Sequence, residues 1–210
     1  MLRDIRKQYQ YAALTEEHAS QNPFSQFGNW LSEAVNSEET EPTAMVLSTV
    51  DADMQPHSRV VLLKEFTENG FVFFTNYEGN KSKEIASNAK VAPLFFWQGQ
   101  ERQVRITGVA EKIDAAASDD YFYSRPVESR IGAWASPQSQ PIETYDILAQ
   151  RFEAFKKQFG ENIPRPPHWG GFVVKPDTFE FWQGRPSRLH DRILYSAGDD
   201  GNWKIERLAP

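Results

Sequence analysis

Apolar residues change their spacing several times along the chain, and each change marks an element. "FSQFGNWLSEAV" places Phe24, Phe27, Trp30, Leu31 and Ala34 at helical intervals before the polar "NSEETEP" stops the pattern. The first forty residues read as helical on this basis. "TAMVLSTV", "SRVVLLKEF" and "GFVFFTN" are short β-branched or aromatic runs, separated by "DADMQP" and "TENG". They predict a meander, with Asn69-Gly70 as a tight turn. Val60 to Leu63 is apolar at every position, which predicts a strand buried on both faces.

"NKSKEIASN" reads as a short helix, and "VAPLFFW" and "RQVRITGVAEKI" as two more strands. "DAAASDDYFYSRP" has Asp114 as an N-cap and a Ser-Arg-Pro stop. "TYDILAQRFEAFKKQFG" carries one apolar stripe, Ile147, Leu148, Phe152, Phe155 and Phe159, and ends on Gly160. Beyond the proline-rich "ENIPRPPHWGG", the runs "FVVKP", "TFEFWQG", "SRLHDRILY" and "NWKIERL" return to strands. No repeat or linker divides residues 1–210, so one domain is expected. Its class is mainly β with flanking helices, arranged as a closed or partly open antiparallel barrel.

Composition narrows the chemistry. The 210 residues contain no cysteine, which excludes disulfides, thiolate metal sites and a cysteine nucleophile. No apolar run reaches membrane-span length, and the charged start "MLRDIRKQYQ" lacks the core of a signal peptide, so a cytoplasmic protein is expected. The four histidines are scattered without metal-ligand spacing, and neither G-x-G-x-x-G nor G-x-x-x-x-G-K-[ST] occurs. Redox chemistry here requires an organic cofactor. A net charge of −6 argues against a general nucleic-acid surface, while local cationic clusters suit a small anionic ligand.

Those clusters are several. Read as a strand, "SRLHDRILY" puts Arg188, His190 and Arg192 on one face, as a phosphate grip or as a solvated basic edge. Arg59 and Lys64 bracket "RVVLLK", as ligand contacts or as charges snorkelling from strand ends. Tyr121, Arg125 and Ser129 are spaced by four and share a face only if a helix survives Pro126. Gln138 and Ser139 offer an amide and a hydroxyl from what is otherwise an ordinary loop, and Trp182 is by default a core residue.

"FEFWQGRPSRLHDR" closely resembles the C-terminal signature of the pyridoxine/pyridoxamine 5′-phosphate oxidase family. "PTAMVLSTVD", "RVVLLK", "VFFTN", "ERQVRITGVAE", "YFYSRPVESRIGAWASPQS", "WGGF" and "WKIERLAP" resemble that family's blocks in the same order. The resemblance implies an FMN-binding split β-barrel, a homodimer with FMN at the subunit interface, and no nucleic-acid or membrane partner. It implies oxidation of a small phosphorylated pyridine, pyridoxine or pyridoxamine 5′-phosphate, to pyridoxal 5′-phosphate. Oxygen would reoxidise the flavin and give H2O2.

By the same resemblance the flavin contacts are Arg59, Val60, Val61, Leu62, Leu63 and Lys64, then Phe74, Thr75, Asn80 and Lys81. Gln103, Gln138, Ser139, Trp182 and Arg192 complete the set. Lys64, Tyr121, Arg125 and Ser129 would hold the substrate phosphate. Arg188 and His190, with Leu189 between them, would sit at the substrate ring as the catalytic pair. Arg6 and Tyr9 match an N-terminal segment, within about 1–40, that closes over the pocket. On this reading Arg192 serves the flavin while Arg188 and His190 serve the substrate, so the three charges do not share one phosphate. Asn80 stands where many relatives carry arginine, and Phe74 replaces a frequent tyrosine. The rival readings are a split-barrel flavin reductase, which has no need of the Tyr121, Arg125, Ser129 set, a non-catalytic pyridoxal-phosphate carrier, and a barrel binding single-stranded nucleic acid.

Overall fold

A computed structural model describes residues 2–4, 8–37, 39–199 and 201–210. Helix α1 spans Pro23–Val35. Proline occupies its first turn, and Asn22 caps it by accepting from the Phe24 amide at 2.8 Å. The helix drives Phe24, Phe27 and Trp30 into the sheet's concave side, where the Phe27 ring lies 4.8 Å from Phe71 and 4.9 Å from Phe95. Burying a side chain of this size contributes about 2–3 kcal/mol.

Strands β1 (Ala44–Val50), β2 (Pro56–Leu62), β3 (Glu65–Thr67) and β4 (Gly70–Asn76) precede helix α2 (Asn80–Ser87). Strands β5 (Lys90–Trp97) and β6 (Arg102–Lys112) come next. Helices α3 (Ala115–Ser124), α4 (Val127–Ala135) and α5 (Tyr145–Phe159) follow, then β7 (Trp169–Gln183), β8 (Asp191–Ala197) and β9 (Trp203–Arg207). All strand pairings are antiparallel, in the order β2-β1-β5-β6-β7-β4-β3, with β8 and β9 added beside β7. β2 and β3 stand at opposite ends of that order yet are joined by Leu63 and Lys64 alone. The Leu63 amide extends the ladder to β1 by donating to Thr43 O, and the Lys64 amide extends the ladder to β4 by donating to Val72 O, both at 2.9 Å. The sheet therefore curls until its ends meet at Lys64, and its concave side encloses the aromatic core.

Several sequence expectations need correction. Among the described residues of the first forty, the α-helix is confined to Pro23–Val35; residues 8–20 mostly run irregularly because the barrel satisfies their backbone groups. Leu14 N–H donates to Asp191 at 3.0 Å, and Ser20 O accepts from the Tyr195 hydroxyl at 2.8 Å. Such tertiary partners override helix propensity. Val60–Leu63 is not buried on both faces: among the described residues β2 pairs with β1 alone, leaving Val60 63% exposed, and only Leu63 is fully buried, with Val61 packed partly against the core. "FVVKP" and "TFEFWQG" are one strand, β7, because Pro176 sits beside a bulge. Opposite it the register slips between Thr107 and Gly108, leaving Asp177 as an extra residue. Finally, "SRLHDRILY" becomes a strand only at Asp191. Ser187 and Arg188 take φ of 57° and 62°, so Arg188, His190 and Arg192 do not form a strand face.

Candidate active site

The curled sheet leaves a cleft of about 480 Å3 where β2, β4, α2 and α3 converge. β4 lays Phe74, Thr75 and Asn76 against Gly171, Gly170 and Trp169 of β7, and this register builds a flat wall. The rings of Phe74 and Tyr121 stack at 3.9 Å and 17°, and Trp169 continues the stack 5.4 Å from Phe74. The opposite lip is β2, whose Arg59, Val60, Val61 and Leu62 line the cleft along an edge with unpaired backbone groups. Lys64, at the seam of the barrel, lines it too.

Cations dominate this cleft. Arg125 ends α3, where Pro126 breaks the helix and α4 restarts at Val127. Tyr121, Arg125 and Ser129 therefore do not share one helix face. Arg125 and Tyr121 still enter the cleft together, and Ser129 lines an adjoining recess of about 280 Å3 with Arg125 and Gln138. The Arg125 guanidinium lies 4.6 Å over Trp169, and its Nη1 is buried with no hydrogen-bond partner among the described residues. Burial works against its charge, and Tyr121 partly opposes that effect. Burial in turn raises the Tyr121 hydroxyl above the ordinary tyrosine range.

Lys81 Nζ donates to Gln138 Oε1 at 2.8 Å and to Thr75 Oγ1 at 3.0 Å. Burial first, and Arg59 second, pull its ammonium below the ordinary lysine range against the attraction of Glu84. Ser139, at a φ of 67°, accepts from the Asn80 amide at 3.2 Å and fixes the start of α2. Arg59 is held from behind: Nη2 meets Glu84 at 2.9 Å, and Nη1 donates to Thr49 and to Leu47 O. Leu63 is the one member of the predicted Arg59–Lys64 stretch that turns away into the core.

The remaining predicted residues gather elsewhere. Trp182 pairs with Gln103 of β6 and with Arg192 of β8. The His190 ring lies 4.6 Å from Trp182, and Tyr9 packs edge-on against both at 5.6 and 5.7 Å. His190 Nδ1 accepts from the Arg185 amide at 3.1 Å, which leaves Nε2 as the protonated nitrogen of the neutral ring. Burial and then Arg188 lower its pKa, against Asp191. Arg192 is anchored by Glu180 at 2.8 Å, which raises its pKa, and also donates to Ala209 O. Arg188 and Leu189 are exposed beside this cluster. Arg6 lies outside the described residues.

The two groups of residues occupy opposite ends of β7. Trp169 and Trp182 are thirteen residues apart on one strand, roughly 40 Å along its path. One copy of the chain does not bring them together. Sequence reasoning missed Trp169 as part of the wall, since a tryptophan is core by default, and missed Glu84 as the anchor of Arg59. The signal for Glu84 was its place in "NKSKE", one helical turn beyond Asn80 and Lys81.

These features define a split β-barrel with a cationic cleft walled by stacked aromatic rings. The profile described as Pyridoxamine 5'-phosphate oxidase matches residues 31–159, and that of the Pyridoxine 5'-phosphate oxidase C-terminal dimerisation region matches residues 169–210. The chain is 55% identical over 207 residues to the pyridoxine/pyridoxamine 5′-phosphate oxidase of Bordetella pertussis, covering 99% of this chain and 98% of that protein. It is 51% identical over 209 residues to that of Cupriavidus metallidurans, covering 100% and 99%. Among solved structures it is similar to PhzG from Burkholderia lata, determined in complex with tetrahydrophenazine-1-carboxylic acid. There the TM-score is 0.88 and the identity 26%, over 94% of this chain and 98% of that one. An FMN-binding protein of Nostoc punctiforme shares the fold at a TM-score of 0.73 and 17% identity, over 91% and 100%. The chain belongs to the pyridoxine/pyridoxamine 5′-phosphate oxidase family, a family of oxidoreductases.

Proposed function

We propose that the protein oxidises pyridoxamine or pyridoxine 5′-phosphate to pyridoxal 5′-phosphate with FMN as cofactor and O2 as electron acceptor, releasing H2O2 and, from the amine, which takes up water, ammonia. Its working form is a homodimer in which the Arg125 end of one copy faces the Trp182 end of the other. The observation that carries the reading is the half-buried Arg125 guanidinium over Trp169, whose buried Nη1 has no hydrogen-bond partner among the described residues. An unpaired buried donor on a cation costs about 1–3 kcal/mol or more, which an incoming phosphate offsets with charge-assisted hydrogen bonds.

The residues present suit both phosphorylated rings. The unpaired edge of β2 offers backbone donors and acceptors to a flat heterocycle, and Lys81, Thr75, Gln138 and Ser139 offer polar contacts to its phosphate tail. Lys64, Tyr121, Arg125 and Ser129 are the substrate-phosphate set, and Arg188 and His190 from the second copy orient the pyridine ring. FMN, when bound, would supply the redox chemistry: it would accept one hydride, which is two electrons and a proton, from the substrate carbon and pass the two electrons to O2. The protein's share is orientation, which is worth several kcal/mol of barrier, and exclusion of water by Tyr9, Trp182 and His190.

The purified protein should show oxidised-flavin absorption that bleaches on adding pyridoxamine 5′-phosphate without oxygen and returns in air with H2O2. A colourless protein indifferent to FMN overturns the reading. Bleaching by NADH alone points to a flavin reductase, and bleaching by a tetrahydrophenazine carboxylate alone points to PhzG-like chemistry.

A further inference from the structure

We propose that Glu101 is a positioning residue: its buried carboxylate fastens the N-terminal segment at Gln10 and Tyr11 and so sets Tyr9 against Trp182 and His190. The assignment deepens the functional reading above, and its geometry is independent of it. Glu101 lies in the turn between β5 and β6 and is 4% exposed. Its Oε2 accepts two consecutive backbone N–H groups, Gln10 at 2.7 Å and Tyr11 at 3.0 Å. A carboxylate gripping adjacent amides fixes the direction of a chain that lacks a helix or sheet of its own at that point.

The backbone of the same residue holds the other side of the site. Glu101 O accepts from the Gly184 amide at 2.7 Å and from Gln183 Nε2 at 3.2 Å, just beyond Trp182. One residue thus ties the N-terminal segment to the end of β7. It does so at a φ of 55°, a left-handed conformation that costs a non-glycine residue free energy and that glycine or asparagine would adopt more readily. A turn chosen for its backbone alone would not carry glutamate there. Gly184 supplies a second sign. A Cβ at that position would meet Tyr9 Cγ at 2.7 Å and Glu101 Cβ at 3.1 Å, so glycine leaves the space Tyr9 fills. Arg102 adds a cation–π contact to the Tyr11 ring at 5.6 Å, and Asp191 takes the Leu14 amide farther along. Glu101 fastens the two residues that directly follow Tyr9.

The test uses flavin-loaded protein carrying Glu101→Ala or Glu101→Gln. Amide hydrogen exchange over residues 8–14 should accelerate by at least about tenfold in Glu101→Ala and by less in Glu101→Gln, which keeps an acceptor. Exchange in the barrel strands and the flavin content should stay at parental values. The KM for pyridoxamine 5′-phosphate should rise by about tenfold with kcat within about twofold, because a closing segment is loosened and no reacting group is removed. Unchanged exchange at Gln10 and Tyr11, or a parental KM, overturns the assignment. If Glu101→Ala does not fold, Gly184→Ala displaces Tyr9 from the other side. It should raise KM in the same way, and a parental KM there overturns the assignment as well. Hydrogen exchange needs no substrate, so a loosened segment in a protein inert to pyridoxamine 5′-phosphate would leave Glu101 in place and refute only the functional reading.

Discussion

Replacing Arg125 with methionine separates binding from folding. The side chain keeps a similar length but loses its charge and all its donors. In the ligand-free protein two effects oppose each other. The contact with Trp169 at 4.6 Å is lost, worth about 0.5–2 kcal/mol. The buried Nη1 without a partner disappears as well, which returns about 1–3 kcal/mol. The balance lies near zero or slightly on the side of stability, so the melting temperature should stay within about 3 °C of the parent. Phosphate binding has no such compensation. Losing charge-assisted hydrogen bonds of about 1.5–3 kcal/mol weakens it roughly ten- to hundredfold. Thermal melts of the flavin-free protein, paired with KM for pyridoxamine 5′-phosphate, measure both sides. A fall of more than about 5 °C with unchanged KM would show that Arg125 pins the aromatic wall and does not serve as an anion ligand.

Three further predictions rest on other parts of the molecule. Arg188→Ala removes an exposed side chain from a short turn, so kcat/KM should fall by about a hundredfold or more while melting is unchanged; retention of parental kcat/KM refutes its role. His190, with its pKa lowered by burial and Arg188, should titrate below an ordinary histidine by NMR, with the Arg185 amide shift moving in step. Because the unfolded chain takes up that proton first as pH falls, His190 costs stability below the ordinary histidine pKa and nothing above it; a midpoint above that value contradicts the geometry. Gly70→Ala puts a Cβ 2.2 Å from Val174 O at a φ of 129°, so denaturant melts should show a loss of at least about 2 kcal/mol, and parental stability would refute the tight β3–β4 turn.

What the sequence revealed and what it hid follow physical lines. Strands β4, β5, β6 and β9 and helices α2, α3 and α5 were legible, because each carries its own period and its own stop. Val60 was misread because an apolar run cannot tell burial inside one chain from an edge facing a cleft. Pro176 read as a strand end because a bulge that tolerates proline is set by the partner strand at Gly108. Residues 8–20 read as helix because their partners, Asp191 and Tyr195, lie more than 170 positions away. The chemical classes of the site were visible in Lys64, Arg125 and Trp182. Their distribution between the two ends of β7 was not, since only strand register decides it.

That distribution is also what calls for a second copy of the chain, and subunit exchange examines it directly. Assayed at pyridoxamine 5′-phosphate well below the parental KM, Arg125→Met and Arg188→Ala protein should each keep at most about a tenth of parental activity as homodimers. When the two are mixed and allowed to exchange, half of the dimers become mixed, and each mixed dimer regains one intact site of its two. Activity should then rise to about a quarter of the parental value. If exchange is confirmed by mass spectrometry and activity stays at the level of the separate variants, the two ends do not meet across an interface and the composite site is wrong.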